Sequence, residues 1–257
     1  MNQLVLIKVG GGLITDKSKP LSLREDMMLV VAEAIRVAHE KHPEDSFIIG
    51  NGAGSFGHFL ASKDPDGNKE ERMTAIHESV VLLNKIFVQH LVEAGLPAVS
   101  VVPSEHITAE YGKLKEFDIG EIEDVLSVNS ISVLFGDIVD DGTDKGMIFS
   151  TETLFEELIK RMRAEYEITL IYAGDTDGVL DVNSNTIREI SMESWKKMGG
   201  SVAAPSGYDV TGGMTHKIES ALKMTRYAKS VHIILGKDPQ SITAALDGAA
   251  VGTKIVQ

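Results

Sequence analysis

Three lysines and a histidine lie beside glycine-rich turns. Lys8 precedes Gly10-Gly11-Gly12, His58 ends Gly52-Ala53-Gly54-Ser55-Phe56-Gly57, Lys17 follows the first turn, and Lys217 follows Gly212-Gly213. Glycine lets a ligand approach backbone N–H groups that a Cβ would shield, and bared amides beside cationic side chains suit a phosphate ester. The chemistry these residues point to is phosphoryl transfer.

The two turns differ in specificity. The triple glycine after Lys8 lacks the spacing and the Lys-Ser/Thr ending of a P-loop. It also lacks the complete GxGxxG pattern, with an acidic residue after the next strand, of a dinucleotide site. In the second turn, Gly52, Gly54 and Gly57 alternate with Ala53, Ser55 and Phe56. That spacing predicts a tight entry into a helix that Ser55 can cap, with His58 in its first turn beside an anion pocket. Neutral imidazole donates one hydrogen bond, and imidazolium adds charge. Lys17, with Thr15, Asp16 and Lys19, sits in a loop that can fold back over a ligand as part of a lid. Asp175 and Asp177 have the spacing of a metal pair and equally that of an ordinary Asp-rich turn orienting lysines or ribose. No residue is assigned to direct metal ligation. In Thr211-Gly212-Gly213-Met214-Thr215-His216-Lys217 the glycines free a helix N-terminus and Lys217 can reach a polyphosphate. His216 has no supporting ligand set.

The elements that must position these groups read as α/β. Apolar runs predict strands at residues 4–9 and 46–50, each ending in a glycine turn, as buried parallel strands do. Ser22-Leu23-Arg24-Glu25 resembles a capping box opening a helix to about Lys41. Lys63-Asp64-Pro65-Asp66-Gly67-Asn68-Lys69 reads as a polar, mobile loop. Met73, Ile76, Val80, Leu83, Phe87 and Leu91 then recur at helical spacing over about 24 residues. Further strands are expected at 97–102 and 131–135, with a small hairpin over 111–119, a short helix over 120–127 and an exposed turn over 140–146. A helix at 152–163 closes a first lobe. A second lobe opens with a strand at 168–173 and continues with helices at 214–228 and 239–247 and strands at 231–235 and 253–256. The predicted architecture is a three-layer α/β/α sandwich around a mainly parallel sheet.

The chain has 257 residues, enough for one large core or two joined lobes. A formal net charge of −13 argues against a nucleic-acid face or attraction to an anionic membrane. Anionic substrates must therefore meet a local cluster of positive groups. The absence of cysteine excludes disulfides, thiolate zinc sites and cysteine nucleophiles. The opening residues carry no basic or long apolar segment, and a cytoplasmic location without stable membrane association is expected.

Taken together, Lys-x-Gly-Gly, Gly-Ala-Gly-Ser-Phe-Gly-His, the Asp-x-Asp-Gly turn and Thr-Gly-Gly-Met-x-x-Lys resemble the amino acid kinase superfamily, and within it the isopentenyl phosphate kinase family. Leu13-Ile14-Thr15-Asp16-Lys17, His77-Glu78-Ser79-Val80, Leu83-Asn84 and Glu93-Ala94-Gly95-Leu96-Pro97-Ala98-Val99-Ser100 extend the likeness over nearly the whole chain. The resemblance implies an amino acid kinase-like fold, ATP with Mg²⁺, transfer of the γ-phosphoryl to isopentenyl phosphate, and a homodimer. It implies that Lys8 contacts the phosphoryl group in flight. His58 would bond the acceptor's phosphate, with Gly11, Ala53, Gly54 and Ser55 seating it. Lys17 and Lys217 would hold the ATP phosphates together with Gly10, Gly11 and Gly212, and Asp175 would belong to the nucleotide-side loop. Residues 1–165 would form the acceptor lobe and 166–257 the ATP lobe. Met73, Ile76, His77 and Val80 are candidates to face a lipid-like tail.

Three departures stand out from the family pattern. Gly12 replaces a usual serine, Phe135-Gly136-Asp137 replaces a histidine-containing version, and Phe149-Ser150-Thr151-Glu152 replaces a Ser-Gly-Asp segment. Either Glu152 or Asp137 is left to organise the cationic centre. The alternatives are a kinase of another small phosphate or phosphonate, as in the related fosfomycin-resistance kinases, and a non-catalytic nucleotide sensor.

Overall fold

The computed structural model describes residues 2–57, 68–199 and 213–257. His58, Gly212 and most of the 63–69 loop, all read above from sequence, lie outside the described residues.

In chain order the elements are β1 (Asn2–Val9), α1 (Gly11–Ile14), α2 (Glu25–Lys41), β2 (Ser46–Asn51), α3 (Lys69–Glu93), β3 (Ala98–Ser100), β4 (Ile107–Glu110), β5 (Lys113–Phe117) and α4 (Gly120–Ser127). They continue with β6 (Ile131–Phe135), β7 (Asp137–Val139), β8 (Met147–Phe149), α5 (Thr151–Met162), β9 (Tyr166–Gly174), β10 (Val179–Leu180), β11 (Thr186–Ile187) and β12 (Glu189–Ile190). The last are α6 (Met192–Lys197), α7 (Gly213–Met224), β13 (Ser230–Leu235), α8 (Ser241–Leu246) and β14 (Thr253–Ile255).

Eight strands form one sheet in the order β12-β14-β13-β9-β1-β2-β6-β3. Every pairing in it is parallel except β13 with β14. Alternation along β1 divides the core into two layers. Leu4 and Leu6 face one cluster with Ile122, Leu154, Phe155 and Ile218, from α4, α5 and α7. Val5, Ile7 and Val9 face the other with Val31, Ile35, Leu83 and Ile242, from α2, α3 and α8. This is the expected three-layer sandwich. Strands buried on both faces must be apolar at nearly every position, which is why β1, β2 and β9 read as continuous hydrophobic runs. Lys8 breaks the run on the face of α5, at the carboxyl end of β1.

Residues 1–165 supply β1, β2, β6 and β3, and residues 166–257 supply the other four strands of the same sheet. The 140–146 turn joins β7 to β8. Among the described residues no helix is long and apolar enough to cross a membrane.

Two local expectations are corrected. Ser22 does not cap α2. The helix begins at Glu25 with Arg24 at its N-cap position and no side-chain cap bond. Residues 22–24 are instead held in the loop before it: Leu23 bridges Thr15, the N–H of Asp16 donates to the Ser22 carbonyl, and the N–H of Arg24 donates to the Ile14 carbonyl. Ser55 does not cap the second glycine turn either. It lies within the helical stretch 54–57, and its hydroxyl donates to the Ser22 carbonyl while accepting from the Ser22 N–H. Between the strand and the helix expected at 168–173 and 214–228, β10, β11, β12 and α6 also form.

Candidate active site

The two glycine turns pack directly on each other. A Cβ on Gly11 would fall 2.6 Å from the Gly54 Cα, and one on Gly52 would fall 2.9 Å from the Gly11 N and 3.5 Å from the Lys8 Nζ. Gly54 has φ +51°, the left-handed conformation glycine adopts without penalty. Thr15 locks the contact, since its hydroxyl donates to the Gly11 carbonyl at 2.7 Å and accepts from the Ser55 N–H at 3.0 Å. No side chain fits between the turns, so their backbone is brought up to the Lys8 ammonium.

Lys8 is 7% exposed, and its Nζ lies 2.7 Å from Glu152 Oε1. Glu152 stands in the first turn of α5, whose N-cap Ser150 accepts from the Thr153 N–H. A carboxylate there is favoured by the helix dipole. Burial alone would raise the Glu152 carboxyl, but the charge and hydrogen bond of Lys8, with Lys217 nearby, hold it below the usual carboxylate range. Glu152, not Asp137, is therefore the residue that organises the cationic centre.

Lys217, in α7, approaches from the other half of the chain. A Cβ on Gly174, the last residue of β9, would lie 3.6 Å from its Nζ. Burial and the neighbouring charges of Lys8 and Lys17 push its ammonium down to about 8, against the opposing pull of Glu152 and Asp175. The lysines are thus close enough to repel one another, with fewer carboxylates than ammonium groups between them. Such a centre is built to receive an anion.

The other residues expected on the nucleotide side gather round Gly12. A Cβ there would lie 3.2 Å from both Asp175 Oδ2 and Lys17 Cε. Arg24 Nη1 donates to the Gly12 carbonyl at 3.0 Å and lies 3.6 Å from Asp175 Oδ1. Sequence reasoning missed Arg24. Asp175 and Asp177 do not act as a pair: Asp177 accepts from the Thr186 hydroxyl and lies 3.5 Å from Arg188, on the far side of the turn. Gly10 donates its N–H to the Ala173 carbonyl and joins the first turn to β9.

Of the residues expected to face the acceptor's tail, Ile76 and Val80 are buried at 4% and 2%, while Met73 and His77 are half-buried. Val80 is packed beside Gly57, and Met73 lies against Gly146 at the base of the β7–β8 turn. Ala53 is half-buried and its carbonyl accepts from the Phe56 N–H.

The model of the amino acid kinase family matches residues 3–235. The isopentenyl phosphate kinase of Methanocaldococcus jannaschii is 30% identical, over 98% of each chain, and that of Methanothermobacter thermautotrophicus is 28% identical, also over 98% of each. Among solved structures, an isopentenyl phosphate kinase superposes with a TM-score of 0.78 at 26% identity, covering 98% of this chain and 100% of the other.

Proposed function

The chain belongs to the amino acid kinase family, and we propose that it transfers the γ-phosphoryl group of ATP to isopentenyl phosphate, releasing ADP and isopentenyl diphosphate. The observation that carries this reading is the Lys8–Glu152–Lys217 centre set against two back-to-back glycine turns. Similarity to isopentenyl phosphate kinases over the whole length supports the choice of acceptor.

A phosphate monoester has a second pKa near 6, so at neutral pH its oxygen is largely deprotonated and needs little general-base help. One acceptor oxygen bonds to the γ-phosphorus while the bond from that phosphorus to the β–γ bridging oxygen breaks. The barrier lies in bringing two anions together and holding them in line, which fixed cations and amides do without reorganising. Lys8, anchored on a central strand, would meet the phosphoryl group in flight. Lys17 and Lys217 would hold the donor's phosphates, with Asp175 and Arg24 setting the loop beside them. His58, with the amides of the second glycine turn, would seat the acceptor's phosphate. Mg²⁺ would come with ATP and neutralise part of its charge. A homodimer in the cytoplasm belongs to the same reading.

Purified protein incubated with ATP, Mg²⁺ and a panel of phosphorylated acceptors, with products read by mass spectrometry, tests it. Isopentenyl diphosphate is the expected product. Preferred turnover of fosfomycin or a nucleoside monophosphate would overturn the acceptor assignment, and stable ATP binding with no turnover would mark a nucleotide sensor.

A further inference from the structure

Asp137 is a buried carboxylate that the mechanism above does not use. It lies two residues past the end of β6, on the carboxyl edge of the sheet, with its side chain fully buried. Its Oδ1 accepts from the Ile138 N–H at 2.8 Å and lies 3.0 Å from His77 Nδ1, and its Oδ2 accepts from the Ser104 N–H at 3.2 Å. Among the described residues no lysine or arginine pairs with it, and His77 is its one side-chain partner there. With a carboxylate as acceptor Nδ1 carries the hydrogen, which leaves Nε2 as the ring nitrogen without a part in this bond. About a third of the His77 side chain, 34%, remains exposed.

The surroundings of this pair are those proposed above for the acceptor's phosphate. On α3, two residues past His77, the Ser79 hydroxyl donates to the Phe56 carbonyl, and Val80 packs against Gly57. The helix stretch that carries His77 is thereby fastened to the second glycine turn. On the other side, Asp137 pairs with Phe149 in the β7–β8 ladder, and Gly136 packs against Ser150 and Thr151, at the start of the helix that presents Glu152 to Lys8. His77 thus belongs to a helix fastened to the turn that would seat the acceptor, and its partner Asp137 belongs to the junction that leads to Glu152. Burying a carboxylate is costly unless it is paired. A simple tie between α3 and β7 needs no such charge, whereas a fixed, oriented imidazole does.

We propose that His77, positioned by Asp137, is a second contact for the acceptor's phosphate and selects for phosphorylated acceptors, rather than lining a hydrocarbon tail. This inference rests on the reading of the acceptor as a phosphate monoester. Asp137 acts only through His77 and is a positioning residue. The test measures steady-state kinetics for His77→Ala, Asp137→Asn and the double variant, with ATP and isopentenyl phosphate varied separately. Loss of one charge-assisted contact raises the acceptor KM of His77→Ala by roughly 10- to 150-fold, while the ATP KM stays at the parent value; the melting temperature falls, because the buried Asp137 carboxylate loses its side-chain partner. Asp137→Asn raises the same constant, and the double variant is no worse than His77→Ala alone. An unchanged acceptor KM in His77→Ala, in an enzyme that still turns over isopentenyl phosphate, overturns the inference and leaves the proposed function standing. Wild-type protein that turns over no phosphate monoester overturns both. Should Asp137→Asn fail to fold, His77→Ala, at a half-exposed position, decides alone.

Discussion

Replacing Glu152 by glutamine removes the one carboxylate that bonds Lys8 among the described residues while keeping the side chain's size. The pair is 2.7 Å apart, and the Lys8 side chain is 9% exposed against 26% for Glu152. Breaking a buried pair on one side costs about 3–5 kcal/mol. Solvent access to Glu152 argues for the lower end, and about 3 kcal/mol lowers the melting temperature of a chain this size by roughly 6–12 °C. The electrical consequence is more diagnostic. Lys217 is already pushed down to about 8 by burial and by Lys8 and Lys17, with Glu152 opposing that push. Without the carboxylate, a further cost of about 1.4 kcal/mol for the protonated form moves its midpoint down by about one unit. Only the ammonium form attracts phosphate, so in the parent enzyme kcat/KM for ATP holds below about 8 and falls as pH rises through that value. This constant reports the free enzyme. In Glu152→Gln the same descent begins about one unit lower, and kcat falls because Lys8 is no longer aimed. Glu152→Asp keeps the charge, so its descent stays near the parent's while turnover falls through the lost contact. A basic limb and kcat both identical to the parent's in Glu152→Gln would refute the reasoning.

Other outcomes follow from the same geometry. Lys8→Ala lowers kcat far more than it weakens ATP binding by calorimetry, because its contact grows with charge in the transition state; equal losses in both would make it a uniform binding residue. Arg24→Ala frees Asp175 from the first glycine turn and raises the ATP KM while the acceptor KM holds, and the reverse pattern would place Arg24 elsewhere in the reaction. Gly54→Ala costs about 2–4 kcal/mol in chemical denaturation, from a left-handed backbone and a Cβ driven against Gly11 and Thr15; parent-like stability would mean the turns are not in contact. His232 is buried in β13 with its Nδ1 unpartnered among the described residues, and burial, with Lys254 nearby, pushes its imidazole down to about 4 from 6.5. The unfolded chain therefore binds the proton first, and stability falls as pH drops below 6.5 until about 4, by about 3 kcal/mol in all. His232→Val should remove that part of the acid sensitivity in denaturation midpoints measured across the window.

Much of the framework is written in local pattern. β1 and β2 announce themselves as apolar runs ending in glycine, and the 25 residues of α3 by a repeat of apolar positions from Ile76 to Leu91. Lys8, Lys17 and Lys217 are legible because each stands beside glycines whose missing side chains leave room for a ligand. The pairings between distant residues are not local and leave no such trace. Arg24 is a lone arginine before a helix until the fold brings Asp175 and the Gly12 carbonyl to it. Asp137 and His77 are 60 positions apart, and nothing around either names the other. Ser22 shows the opposite failure: the Ser-x-x-Glu spacing is that of a helix start, but the Ser55 hydroxyl and the Thr15–Leu23 bridge keep the segment extended. Strands of two residues, such as β10, β11 and β12, are too short to show an alternation.

The shared sheet has a consequence for dividing this chain. β1 is laddered to β9 from Asn2–Tyr166 through Val9–Ala173, and on its other edge to β2. A cut in the exposed stretch after α5, near Glu165, would part the sequence where the acceptor and nucleotide halves are proposed to meet, yet leave each fragment with a raw strand edge. Neither piece could bury β1 or β9 on its own, and each would be the other's missing neighbour. The lysine centre would then form only when the fragments rejoin, with Lys8 and Glu152 on one and Lys217 on the other. Co-expressed fragments fused to two interacting proteins would thus make phosphoryl transfer a readout of their encounter: a split reporter whose switch is strand pairing.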